Sequence, residues 1–128
     1  MVRRRMRFMR SRTTVLVAVI ALVLPAVALA GPPFHLKPKT IHAGEVVKVY
    51  GGPIEGCGPG SRVIIYSKAF DASHEFAGVP AAYVKVRSSG KFTKHVRVDA
   101  STPAGSYSVG ARCNGGNLGS RTLTVLSP

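Results

Sequence analysis

Past Gly31 the apolar positions of this chain recur in short runs that alternate with polar ones, and no sustained 3.6-residue period appears. In YSVGARC, Tyr107, Val109, Ala111 and Cys113 fall on one side, with Ser108, Gly110 and Arg112 on the other. In KFTKHVRV, Phe92, Val96 and Val98 point inward while Lys91, Thr93, His95 and Arg97 point outward. Lys94 interrupts that inner row, as strand curvature or a bulge would allow. Runs of this kind, bounded by Gly, Pro, Asn and Ser, predict strands at Phe34–Leu36 with Thr40–Ile41, Val46–Tyr50, Val63–Ser67, Ala82–Arg87, Phe92–Val98, Tyr107–Cys113 and Thr122–Leu126. Seven short strands at this spacing predict an all-β antiparallel sandwich.

The first thirty residues follow another pattern. Six arginines precede the apolar run Val15–Leu24, which Pro25 breaks, and Ala28-Leu29-Ala30 sets small residues at −3 and −1 of a cut before Gly31. This is the form of a cleaved secretory signal peptide over residues 1–30, with a single domain over 31–128. An uncleaved anchor is the alternative, since Thr13 to Ala30 is almost long enough to span a bilayer. A twin-arginine signal fits less well, because Arg7 interrupts the apolar pair that should follow Arg3-Arg4-Arg5. No cysteine stands at the cut, and TLTVLSP carries no hydrophobic tail, so the expected product is secreted, without a transmembrane span after cleavage, and monomeric.

Export changes how charge and cysteine are read. The leader holds six of the 18 Lys and Arg and none of the five acids, so the remaining 12 basic residues leave a net charge of +7. That excess still favours anionic surfaces outside the cell. Cys57 and Cys113 are the only cysteines. A reactive thiol would need an activating neighbour, and none adjoins either one. Two cysteines alone make a poor zinc site. An even pair in a small exported domain points to a disulfide.

The frame AGEVVKVYGG, GCGPGSRVII, SSGKFTKHVRVDASTPAGSYSVGARC and RTLTV resembles small secreted immunoglobulin-like domains of bacteria, of the kind common in actinobacteria. The resemblance covers most of the chain after Gly31. It implies a seven-stranded immunoglobulin-like antiparallel β-sandwich in which the cysteines join the B–C loop to the end of strand F. Tyr107 would then be the corner tyrosine opening strand F, although it lies six residues before Cys113 and not two, as in antibody domains. The shared features are structural, and the resemblance implies no catalytic or ligand-binding signature.

Chemistry-bearing residues are sparse. Glu45, Glu55, Asp71, Glu75 and Asp99 are scattered, and no G-x-S-x-G, H-E-x-x-H or paired acidic motif occurs, so the expectation is a protein that is not an enzyme and needs no cofactor. In DASHEF, Asp71, His74 and Glu75 would share a face only as one helical turn, which could then ligate zinc or copper; a solvated loop pinned by Phe70 and Phe76 is the plainer reading. The glycine-rich GGPIEGCGPG and CNGGNLG could form a recognition rim with Asn114 and Asn117, although tight turns require those residues anyway.

The stronger signal is YVKVRSSGKFTKHVRV. If SSG turns a hairpin and the strands lie in an A-B-E-D sheet, Lys48, Lys85, Arg87, Lys91, His95 and Arg97 share one outer face. Like charges across a ladder destabilise, so stability alone would not select them. The expected function is a secreted non-catalytic binding module contacting an anionic cell-surface or wall polymer. Specific nucleic-acid binding is disfavoured because Tyr83 is the only interleaved aromatic. The alternatives are a small-ligand or metal carrier and a structural protein with no ligand.

Overall fold

Alternation builds the first strand directly: in FHLK, Phe34 and Leu36 are buried while His35 and Lys37 stay in water, giving β1 (Phe34–Lys37). The structure, a computed structural model, describes residues 31–128; the signal peptide expected over 1–30 lies outside the described residues. Nine more strands follow: β2 (Thr40–His42), β3 (Val46–Gly51), β4 (Arg62–Tyr66), β5 (Phe70–Asp71), β6 (His74–Phe76), β7 (Val79–Lys85), β8 (Phe92–Val98), β9 (Gly105–Cys113) and β10 (Gly116–Leu126). They form a four-stranded sheet, β1-β3-β8-β5, and a six-stranded sheet, β2-β10-β9-β4-β7-β6. The protein is all-β over its described residues, in a two-sheet, sandwich-like arrangement.

The core lies between the sheets. Val47 and Val49 from β3, Phe92 and Val98 from β8, Val63 and Ile65 from β4, and Leu123 from β10 are almost wholly removed from water. Burial of such side chains stabilises by roughly 1.5–3 kcal/mol each. The disulfide between Cys57 and Cys113 joins this core at one end, both residues being buried. Arg121 ties the N-terminal segment down: its Nε donates to Phe34 O at 2.7 Å and a terminal nitrogen to Pro32 O at 2.9 Å.

Ten strands replace the expected seven, for identifiable reasons. The first expected strand divides: β1 pairs antiparallel with β3, whereas β2, past Pro38, pairs parallel with β10 in the other sheet. The last expected strand begins earlier, because Asn114 and Gly115, both at positive φ, close a two-residue turn that pairs Cys113 with Gly116. DASHEF forms no helical turn; it splits into β5 in one sheet and β6 in the other. A second tight turn, Ala77-Gly78, then returns the chain from β6 to β7.

The largest correction concerns the segment expected as strand Ala82–Arg87. It runs from Val79 to Lys85 and pairs with β4, not with β8. The SSG turn does close, with Arg87 N–H to Lys91 O at 2.9 Å and Gly90 N–H to Arg87 O at 2.8 Å. Immediately before it, however, Val86 exchanges hydrogen bonds with Gly60 and Ser61 at 2.8 Å each, holding the chain on the β4 side. The turn therefore carries the chain from one sheet to the other and does not form a hairpin.

Candidate polyanion-binding surface

The outer face of the four-stranded sheet is built by the register of three strands. β1 pairs Lys37 with Lys48 and His35 with Tyr50; β3 pairs Lys48 with His95, Tyr50 with Thr93 and Val46 with Arg97. Lys37, Lys48 and His95 therefore form a row straight across the sheet. Arg97 lies on the same face, its guanidinium donating to Gly44 O at 2.8 Å. The Lys48 ammonium sits 4.8 Å from the Tyr50 ring, which also packs against His35 at 5.5 Å. Tyr50 thus offers its ring to the Lys48 ammonium, a cation–π contact beside the basic row. Arg87 and Lys91 border a hollow of about 240 Å³ at one end of this face, beside His35 and Tyr50.

Four of the six expected residues, Lys48, Lys91, His95 and Arg97, are thus brought to one sheet or its end, with Arg87 adjoining them through the turn. Lys85 is not. It stands on the outer face of the other sheet, opposite Arg62, because its strand pairs with β4. Lys37 takes a place that the sequence reading missed; the alternation Phe34, Leu36 inward had only to be carried one residue further.

Tyr83, the one aromatic expected within the basic patch, stands instead on the outer face of the six-stranded sheet, with Tyr66 and Phe76. Tyr83 is stacked by His74 at 4.0 Å with rings nearly parallel, and Arg62 lies 4.7 Å from its centroid. Phe76 packs on Tyr66 at 4.9 Å, with Arg112 at 5.5 Å. A Cβ on Gly110 would come within 2.5 Å of the Tyr66 ring, so glycine there makes room for it. These rings are half-buried, packed on one another and beneath the Arg62 and Arg112 guanidinium groups.

The remaining candidates separate. In β6, His74 and Glu75 alternate to opposite faces, and among the described residues no three His, Cys, Asp or Glu side chains are grouped to hold a metal. In the glycine-rich loops, the Asn114 amide donates to Gly56 O and to Ser61 Oγ, both at 3.0 Å, and Asn117 accepts from Gly119 N–H at 2.9 Å. Those amides are engaged in holding their own loops.

Hydrogen bonds shift one acid. Asp99 accepts the Ser101 N–H and hydroxyl at 2.8 Å each, and these bonds hold its carboxyl below the ordinary value of 3.8. Among the described residues no helix is long and apolar enough to cross a membrane.

No family model matches the chain, and no curated protein does. Among solved structures, Pseudomonas fluorescens alkylpurine DNA glycosylase AlkC bound to DNA containing an abasic site analog is similar over 74% of this chain and 31% of that one, at 18% identity and a TM-score of 0.43. The matched part is under a third of that protein, and a likeness this slight carries nothing about activity.

Proposed function

We propose that this protein is a secreted, non-catalytic immunoglobulin-like module that binds an anionic cell-surface or wall polymer through the outer face of β1, β3 and β8. The row Lys37, Lys48, His95 carries the reading. Directly opposed like charges cost a sheet stability, so a row of basic side chains in register needs a reason outside folding. A polymer with regularly spaced charges supplies one, since each neutralised phosphate or carboxylate releases counterions.

The immunoglobulin-like part of the proposal has its own support. The order β1-β3-β8-β5 is compatible with an A-B-E-D sheet whose first strand is shared with the other sheet through β2. The Tyr107 hydroxyl donates to Pro103 O at 2.6 Å, as a corner tyrosine does four residues upstream. The buried disulfide suits an oxidising compartment.

The test is retention of Gly31–Pro128, which holds every ladder and the whole core described above, on polyphosphate and polygalacturonate columns across a salt gradient. A Lys37→Gln, Lys48→Gln, Arg97→Gln variant should elute at much lower salt than one with Arg62, Lys68 and Lys85 changed to Gln. Equal loss in both variants would show that only net charge matters and would sink the proposal.

A further inference from the structure

The flank of the sandwich beside β8 is open. β5 pairs only with Val98 and Arg97 of β8, so Phe92–Val96 carry no strand on that side. Val98 bonds to Gly44 and Glu45 on the β3 side, while the Asp99 N–H donates to Ala69 O on the other. Antiparallel bonding alternates, so the main-chain N–H groups of Thr93 and His95 aim toward the open flank. There a cleft of about 450 Å³ is lined by Asp71, His74, Tyr83, Lys94, His95 and Arg97, among others. No bulge interrupts β8 against β3, so Lys94 occupies a core-facing position opposite Val49, half-buried between Phe92 and Val96. It escapes the core by extending sideways into the cleft.

We infer that this cleft is an anion site: it receives one carboxylate or phosphate group of the polymer, with Lys94 as counter-ion and the main-chain N–H of His95 as donor. The inference deepens the reading of the sheet face and rests on it for the identity of the ligand. His95 and Arg97 belong to both the face and the cleft, so a chain lying across β3 and β8 can turn over the β8 edge and bury a charge there. Asp71 is the one acid lining the cleft, against four basic side chains. A cation on an inward position of a free edge also discourages strand pairing between copies. The two roles make different predictions.

Amide chemical shifts of Gly31–Pro128 titrated with inorganic phosphate and with acetate, each against sodium chloride at matched ionic strength, should move at Thr93, His95 and the facing residues of β7. Lys94→Gln should remove those movements and weaken polyphosphate or polygalacturonate binding about tenfold, whereas Lys37→Gln should cost about two- to threefold. The polymer that suffers the larger loss identifies the group, phosphate or carboxylate. Lys94→Arg should restore binding, and Asp71→Asn should tighten phosphate about threefold, a readout that survives if Lys94→Gln does not fold. Phosphate shifts spread evenly over the basic surface, or equal losses for Lys94→Gln and Lys37→Gln, would overturn the cleft and leave the sheet face standing. Localised shifts without any polymer retention would support the cleft and overturn the face.

Discussion

Opening the Cys57–Cys113 bridge should lower stability by an amount set by chain length. The cysteines are 56 positions apart, so the bond closes a loop of about 57 residues in the unfolded chain. The chain-entropy relation then gives a loss of about 4 kcal/mol on opening it. For the residues from Gly31 to Pro128, an unfolding entropy near 0.2 kcal/mol/K converts this into a fall in Tm of roughly 20 °C. The folded state should survive, because the Asn114 amide holds the same two loops through Gly56 O and Ser61 Oγ. Urea denaturation of the oxidised protein, the reduced protein and a Cys57→Ala, Cys113→Ala variant provides the assay. The reduced protein isolates the cross-link, while the double alanine adds the small cavity left by two buried side chains. Since the effect lies in the unfolded ensemble, the m-value should rise on reduction as that ensemble expands. A loss under about 1 kcal/mol with an unchanged m-value would refute the reasoning, because the loops would then be equally constrained without the bond.

Three other expectations are more local. Tyr107→Phe should cost about 1 kcal/mol in the same urea assay by deleting the bond to Pro103 O, and no change would mean the hydroxyl is equally well solvated. Ala77 holds φ 54° in the β6–β7 turn, so Ala77→Gly should raise stability by up to about 1 kcal/mol in a thermal melt. The folded state depresses the Asp99 carboxyl, so its contribution is complete above the ordinary carboxylate range and is lost as pH falls through the folded value. Asp99→Asn should therefore flatten the acid limb of the stability profile below about pH 4, while an unchanged limb would show that other acids dominate it.

How much of this was legible in the sequence depended on the range of the interaction that decided each element. Alternation is local, and it placed β3, β4, β8 and β9 to within a residue or two. The disulfide followed from export and parity of cysteines, without any geometry. The partner of β7 was not legible, because the choice between β4 and β8 is made by Gly60 and Ser61 bonding Val86, more than twenty residues along the chain. A strong local signal, SSG, pointed to the wrong hairpin. Asn114-Gly115 was the opposite case: its residues suit a tight turn, yet the strand that follows was expected only from Thr122 and begins at Gly116. β5 and β6 span two and three residues, too few for any period to register.

The same brevity of β5 leaves β8 exposed, and this bears on what the positive charge is for. Sheets protect free edges with lysine, so Lys94 alone could be explained without any ligand. Lys48 cannot. Its strand is flanked by β1 on one side and β8 on the other, so a cation there guards no edge, and Lys37 faces it directly. Replacing Lys48 with threonine, a good strand former, should relieve that repulsion and raise stability by about 0.2–1 kcal/mol. It should also lower the salt concentration at which the protein leaves a polyanion column. Opposite signs for folding and binding are what a residue kept for recognition predicts. If Lys48→Thr lowers stability and leaves retention intact, the lysine serves the sheet, and the basic face loses its argument for a partner.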